Sequence, residues 1–372
     1  MQYQAYGKGG PMVSRLGFGV MRLPPKPGGG WGTVNFAKSV PLLRQAMEMG
    51  INFFDTHHGY HEGLSEVAIG KALKGWKGQR IILQTKTPFY RDENLDYFKR
   101  LMEAALVKTG VDCIDYLFFH SMDMKMFRKR GKGFLKLADW AQKKGMIRHC
   151  GFSSHDSCEN IKKFVDTGEF AAMLVSYNWL NPGVADAIAH AADKGMGVSV
   201  MNPLGGGSLA ANTNPILAML RGATSAAEVA LRYVLATPGV CTAMSGMNTP
   251  AMLRENFAVA ARKVPMTPAA KRAIEKKIQR LHVKAQTICT SCGYCMPCPS
   301  GVNIPENFLL LNRAKLLGLE AFARQRFAGL RKHKDGDKSA LACKGCGACL
   351  PKCPNKVKIV EQLAETAKRL GG

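Results

Sequence analysis

Residues 51–86 read "INFFDTHHGYHEGLSEVAIGKALKGWKGQRIILQTK". The apolar run at 51–56 reads as a buried strand and "RIILQTK" at 80–86 as a second one. Between them "SEVAIGKALKG" has the spacing of an amphipathic helix and stops at Gly75, as helix ends do. Strand, helix, strand is the unit of a parallel sheet.

Outward from this unit the pattern repeats. Further strand candidates are "RLGFGVM" (15–21), "IDYLFFH" (114–120), "RHCGFSS" (148–154), "AMLVSYN" (172–178), "GVSVMNP" (197–203) and "CTAMSG" (241–246), which makes eight in all. Helical stretches such as "LDYFKRLMEAALVKTG", "FLKLADWAQKKG" and "SAAEVALRYVLAT" separate them. Eight βα units predict an α/β protein with a (β/α)8 TIM barrel. The alternative, a doubly wound open sheet, would carry a Gly-rich turn opening a helix after its first strand. "GGGWG" at 28–32 opens no helical pattern and reads as a loop. The N-terminal "MQYQAYGKGGPMV" reads as a hairpin turning at Gly9 and Gly10, placed to cover one barrel end.

The 372 residues allow one large domain and a small one, and a 46% hydrophobic content suits a packed core rather than a disordered chain. No apolar run has the length of a signal peptide or a bilayer span, so a cytoplasmic protein is expected. The net charge is +25, and residues 262–372 hold 22 basic and 7 acidic side chains, a net +15. Such a charge suits nucleic acid, a membrane surface or an acidic protein. No recognition motif or aromatic stacking pattern accompanies it, so a solvated basic face is expected and nucleic-acid binding is not.

Barrel enzymes place their chemistry at the C-terminal ends of strands. That rule selects Asp55, Lys86, His120, Ser153, Ser154, Asn178 and Asn202. Singly, each has a plainer role: a helix cap, a solvated lysine, a hydrogen-bonded histidine. Together, "NFFDTHHGYHEGLSE", "LQTK" and "LFFH" resemble the aldo/keto reductase superfamily, over roughly residues 10–260. The resemblance implies the catalytic tetrad Asp55, Tyr60, Lys86 and His120. Carbonyl reduction needs a hydride on carbon and a proton on oxygen, and a phenol of pKa about 10 is a reluctant acid at neutral pH. A lysine cation held by a carboxylate stabilises the phenolate. Tyr60 is thereby expected as general acid, Lys86 as its tuner, Asp55 as the anchor of Lys86, and His120 as a donor to the substrate carbonyl.

The resemblance further implies a nicotinamide nucleotide, NADP or NAD. It would place Ser153 and Asn178 at the nicotinamide amide and Gly246, Met247, Glu255 and Asn256 at the adenosine end. Gly19, Met21, Met201, Pro203 and Leu204 would line the remainder, with Gly205 to Gly207 letting backbone approach the pyrophosphate. Met201 stands where many relatives carry a stacking aromatic. Gly246 and Met252, with Arg254 nearby, stand where relatives carry a cation for the 2′-phosphate, so the choice between NADP and NAD stays open. His57, His58 and His61 surround Tyr60 and read either as polar loop filling or as a site for an acidic substrate group or a metal.

Eight of twelve cysteines fall in two late runs. Cys343, Cys346, Cys349 and Cys353, followed by Pro354, have the C-x2-C-x2-C-x3-C-P spacing of [4Fe–4S] ligation, in which the fourth cysteine serves the other cluster. Cys289, Cys292, Cys295 and Cys298, followed by Pro299, form a variant with one residue fewer before the last. The expected sets are Cys289, Cys292, Cys295 and Cys353 for one cluster, and Cys343, Cys346, Cys349 and Cys298 for the other. Zinc, the alternative, would use two separated C-x2-C pairs. Cys113, Cys150, Cys158 and Cys241 are scattered singly and read as core or near-core thiols. "PENFLLLNRAKLLGLEAFARQRFAGLRKH" between the runs reads as helix, preceded by a basic helix over 269–286. This part resembles the α-helical dicluster ferredoxin domains, and the whole chain the iron–sulfur branch of the aldo/keto reductases. The expected domains are a barrel over 1–265 and a mainly helical, ferredoxin-like domain over 266–372.

The expected activity is NAD(P)H-dependent interconversion of a small carbonyl or alcohol substrate. Hydride carries two electrons and a cluster passes one at a time, so exchange between them needs an intermediary such as a flavin, for which no site is legible. The alternatives are an electron-transfer subunit serving an acidic ferredoxin or flavodoxin, and an enzyme whose clusters are structural.

Overall fold

The structure is a computed structural model that describes all residues except 31, 90–93, 265, 287–294 and 354–356, with side chains also left out at 281–286. Two short strands, β1 (Tyr3–Ala5) and β2 (Met12–Ser14), precede the sheet. The sheet strands are β3 (Leu16–Gly19), β4 (Phe53–Asp55), β5 (Ile82–Thr87), β6 (Ile114–Phe119), β7 (Ile147–Ser154), β8 (Ala172–Ser176), β9 (Gly197–Met201) and β10 (Thr242–Ser245). They run parallel and close in chain order, with β10 pairing back onto β3, which rules out the open doubly wound sheet. Helices cover the outside, so strands are buried on both faces and lack the alternation of a half-exposed sheet. In β5 and β6 every residue is buried, polar ones included.

The outer helices are α1 (Phe36–Glu48), α2 (Leu64–Leu73), α3 (Leu95–Thr109), α4 (Met124–Lys143), α5 (Cys158–Asp166), α6 (Ala185–Asp193), α8 (Ala226–Leu235) and α9 (Pro250–Ala260). Their starts are written in the sequence. Asn35, Asn94, Asp123, Ser157 and Thr249 each accept a backbone N–H of the first turn. Gly110, at φ 67°, ends α3 in the left-handed conformation that glycine adopts without steric cost.

One arginine closes the seam of the barrel. The Arg15 guanidinium donates to the carbonyl oxygens of Leu235 and Val240 and to Gln4 Oε1, and reaches Cys241 O at 3.4 Å. At the N-terminal end of the strands, β1 and β2 form the expected antiparallel hairpin. Tyr6, at the foot of that hairpin, enters the barrel and packs on Phe53 and Tyr116 at ring distances of 4.9 and 5.0 Å. Its hydroxyl lies 3.0 Å from Ser199 Oγ, which gives the buried phenol its polar partner. A Cβ on Gly197 would sit 2.8 Å from the Tyr6 ring, so the floor plug requires glycine there.

Met1–Gly206 and Ala230–Pro268 form one compact unit, and Gly207–Val229 with Ala269–Gly372 form another. The second unit contains α7 (Asn214–Leu217), α10 (Pro268–Gln286), α11 (Ile304–Leu317), α12 (Glu320–Arg331) and α13 (Ile359–Leu370). The stretch expected as one helix between the cysteine runs is two. Gly318, at φ 65°, takes the left-handed cap position, and the N–H of Leu319 returns to Arg313 O at 3.2 Å. The core of this unit joins Val302, Ile304, Phe308, Leu310, Ala323, Phe327, Ile359 and Leu363 to the thiols of Cys295 and Cys349.

Candidate functional site

The strands β4, β5 and β6 end side by side, with Asp55, Lys86 and His120 at or just past their ends and Tyr60 on the turn that follows β4. Lys86 on β5 is 2% exposed, and its Nζ donates to Asp55 Oδ1 at 2.5 Å and to the carbonyl of Thr56 at 2.7 Å. The same Nζ stands 5.0 Å from the centre of the Tyr60 ring. Burial on its own would lower the Lys86 ammonium below its ordinary value. The charge of Asp55, the nearby Tyr60 and the hydrogen bonds to both outweigh burial and raise the ammonium above its ordinary value. A buried cation that keeps its proton beside a phenol is what the chemistry of proton donation from tyrosine needs.

Two supports were not among the sequence-derived residues. Gln84 Nε2 donates to Asp55 Oδ1 at 2.6 Å, so one carboxylate oxygen takes both Gln84 and Lys86. Gln84 lies two residues before Lys86 and shares its strand face, a signal the period of two could have supplied. Thr85, on the opposite face, donates to the buried Glu66 of α2 at 3.1 Å, and Lys108 reaches the other Glu66 oxygen at 3.4 Å.

The histidine loop is drawn into the same place. The His57 ring lies 4.3 Å from His120, 4.2 Å from His58 and 5.0 Å from Tyr60, centre to centre. Its Nδ1 accepts the N–H of Gly59 at 3.0 Å, so the neutral ring carries its proton on Nε2. His120 lies 6.5 Å from Tyr60, edge to face. Among the described residues no three His, Cys, Asp or Glu side chains gather closely enough to hold one metal ion.

Backbone strain concentrates at this end of the barrel. Among the described residues, the non-glycine residues at positive φ are His61 (52°), Glu62 (55°), Ser121 (53°) and Asn202 (56°), all on loops that follow β4, β6 or β9. Left-handed backbone costs about 1–3 kcal/mol per residue and persists where the surroundings enforce it, commonly at sites of chemistry.

Residues 15–220 match the aldo/keto reductase family, more than half of the chain. The chain belongs to that family. Residues 288–359 match the 4Fe-4S dicluster domain family, so the reductase barrel is joined to an iron–sulfur domain. An L-galactose dehydrogenase of Arabidopsis thaliana is 26% identical over 283 residues, 69% of this chain and 88% of its own length. An NADH-specific methylglyoxal reductase of Escherichia coli (strain K12) is 23% identical over 294 residues, 66% of this chain and 89% of its own. A solved aldo-keto reductase of Bacillus halodurans, in its holo form, shares the fold with a TM-score of 0.64 at 25% identity, over 74% of this chain and 96% of its own. Among the described residues no helix is long and apolar enough to cross a membrane.

Around the reductase mouth the residues expected to hold a nucleotide differ in how free they are. Ser153 Oγ accepts the N–H of Ser121 at 2.9 Å, which leaves its own hydrogen to donate. Asn178 spends its carbonyl on the N–H groups of Leu180 and Asn181, at 3.0 and 2.9 Å, and one amide hydrogen on Asn202 O at 2.9 Å. One donor remains for a ligand. Gly19 and Met201 end β3 and β9, Pro203 is buried, and Leu204 leads into Gly205 and Gly206 at φ 56° and 68°. Met21 is exposed. Of the residues expected at the adenosine end, Met247 and Asn256 are buried, Glu255 is exposed, and Asn256 Nδ2 donates to Ser245 Oγ at 3.0 Å. Arg22 was missed. Its side chain crosses Gly246 so closely that a Cβ there would sit 3.0 Å from Arg22 Cδ, and a Cβ on Gly206 would sit 3.4 Å from its Nη2.

In the iron–sulfur domain, Cys289 and Cys292 lie outside the described residues. Cys295 and Cys349 are buried in the core, with Cys298, Cys343 and Cys353 packed against it, and Cys346 is exposed. Burial pushes the Cys349 thiol above its ordinary value, and the nearby Cys298, Cys343 and Cys346 push the same way. Those four are the residues expected to share one cluster. The N–H of Val357 points at Cys353 Sγ from 3.4 Å, the kind of donor that tunes a ligating sulfur.

Changing Asp55 to Asn is expected to move the alkaline limb of kcat/KM to lower pH. The carboxylate that helps to offset burial would be gone, so Lys86 would lose its proton earlier. A pH profile of carbonyl reduction checks this, and an unmoved limb would contradict it.

Proposed function

We propose that the barrel reduces small carbonyl compounds with NAD(P)H, and runs the reverse oxidation of alcohols, with Tyr60 as the proton donor. The observation that carries this reading is the Asp55–Lys86 pair, buried and 2.5 Å apart, with its ammonium 5.0 Å from the Tyr60 ring. Bound at the mouth, the reduced nicotinamide supplies a hydride to the carbonyl carbon. As the carbonyl oxygen takes on charge, Tyr60 gives it the phenolic proton, and Lys86 stabilises the phenolate left behind. Asp55, Gln84 and the Thr56 carbonyl hold Lys86 in place for this. His120 donates a hydrogen bond that fixes the carbonyl oxygen, and His57, in contact with both rings, fixes their orientation. General acid catalysis of this kind contributes about 10²–10⁴-fold.

Ser153 and Asn178 fit a nicotinamide amide, since each keeps a donor available in a buried setting. Gly205 and Gly206 present backbone without side chains, and Arg22 lies over Gly206 and Gly246 as a partner for phosphate. The named activities of the two curated relatives, on L-galactose and methylglyoxal, agree with a small polar carbonyl or alcohol substrate.

The cysteine runs are read as ligands of two [4Fe–4S] clusters: Cys289, Cys292, Cys295 and Cys353 for one, and Cys343, Cys346, Cys349 and Cys298 for the other. Such clusters supply one-electron transfer. A second reading, exchange with an acidic carrier such as a ferredoxin or flavodoxin, rests on the net +15 of residues 262–372. Anaerobic titration of the cluster-loaded protein with NADPH and with NADH, followed at the cluster absorbance, separates these readings. Bleaching without added carrier means that the nucleotide reduces the clusters. Bleaching that needs a reduced acidic carrier, and weakens as salt is added, favours the second reading. Insensitivity to all of these donors leaves the clusters structural.

A further inference from the structure

At the barrel end opposite Tyr60, a cavity of about 560 Å³ opens between the β1–β2 hairpin and the starts of the strands. The chemistry of carbonyl reduction uses none of its residues. Lys8, Arg80, Arg148 and Lys194 line it with His149, against the single carboxylate of Asp115. Four permanent cations facing one anion leave three uncancelled positive charges in a concave space, an arrangement that repels itself unless an anion joins it.

The carboxylate is already committed. Asp115 is 6% exposed at its side chain, its Oδ1 takes Arg80 Nη2 and lies 3.4 Å from Arg148 Nε, and its Oδ2 accepts the N–H of Leu83 at 2.9 Å. It therefore fixes the two guanidinium groups without using them up. Each guanidinium has five N–H donors, and the two side chains remain 57% and 54% exposed, so donors beyond those bound to Asp115 stay accessible where the two residues line the cavity. Lys8 is held by its own backbone, whose N–H donates to Gly195 O at 2.8 Å. Gly7 makes this close approach, since a Cβ there would sit 2.7 Å from Gly195 O. Tyr116 and His149 stack at 5.1 Å with 28° between their planes and give one wall a flat aromatic face.

We propose that this basic cavity in the floor of the barrel binds the phosphate group of a small molecule, either a phosphate ester or free phosphate. Paired guanidinium forks match the geometry of a phosphate dianion, and ammonium groups add charge. The volume exceeds what a bare phosphate fills, and the aromatic wall offers a surface for the organic part of an ester.

The test is calorimetric titration of the full-length, cluster-loaded protein at low salt with ribose 5-phosphate, inorganic phosphate and ribose. Both phosphates are expected to bind and ribose is not. Tighter binding of the ester identifies an ester as the ligand, and equal affinities identify free phosphate. The exposed pair Lys8→Gln and Lys194→Gln, combined, is expected to weaken phosphate binding about tenfold, or about 1.4 kcal/mol, and to leave carbonyl turnover unchanged. Arg148→Gln provides a second variant that retains the Arg80–Asp115 pair. Absence of phosphate binding to the wild-type protein, or equal affinity in the wild type and both variants, would overturn the proposal.

Discussion

Tyr60→Phe is expected to lower kcat/KM for carbonyl reduction by about 10²–10⁴-fold while leaving the Kd of NAD(P)H unchanged. The substitution removes one oxygen. The ring keeps its place against His57 and over Lys86 Nζ, 5.0 Å from each. A loss confined to turnover therefore reports the proton and not the packing. Steady-state kinetics with nucleotide binding measured in parallel decides the matter. Full retention of rate would remove Tyr60 from the reaction and leave the buried Lys86–Asp55 pair as a structural ion pair.

The second large effect is expected on removing iron. Cys295 and Cys349 are buried among Val302, Ile304, Phe308, Phe327 and Ile359, so loss of the clusters would open the middle of that core. It would also protonate the thiolates that, as cluster ligands, would offset part of the net +15 carried by residues 262–372. Prolonged anaerobic chelation is expected to abolish hydrogen-exchange protection in α11, α12 and α13 while the strands of the barrel, which have their own core, keep theirs. Uniform protection in the iron-free protein would show that the helical unit folds without metal.

Much of the barrel was legible because its strands are short apolar runs set between amphipathic helices, and because strand ends are where barrel chemistry gathers. Asp55, Lys86 and His120 could be found by that rule, and Tyr60 only by the family pattern. That His57 lies near Tyr60 could be read from their closeness in the chain, but its ring contact with His120 at 4.3 Å joins two separate loops and leaves no local trace. Gln84 was within reach, two residues from Lys86 on the same face, but a glutamine inside an apolar strand carries little signal until its partner Asp55 is placed. Gly318 was visible too, yet the good helix formers on both sides of it outweighed one glycine in the reading. The packing of 207–229 with the second unit is tertiary in origin and leaves no local trace.

Hydride chemistry at the Tyr60–Lys86 end of the barrel leaves its own label on the product. The most direct measurement uses NADPH and NADH carrying deuterium at the transferable nicotinamide position, with a panel of small aldehydes and ketones including methylglyoxal, followed by mass analysis of the alcohols. One deuterium is expected on the carbinol carbon of the product with at least one nucleotide, with far less of that alcohol formed by Tyr60→Phe. Alcohol formed without deuterium, or no alcohol from any member of the panel with either nucleotide, would contradict it.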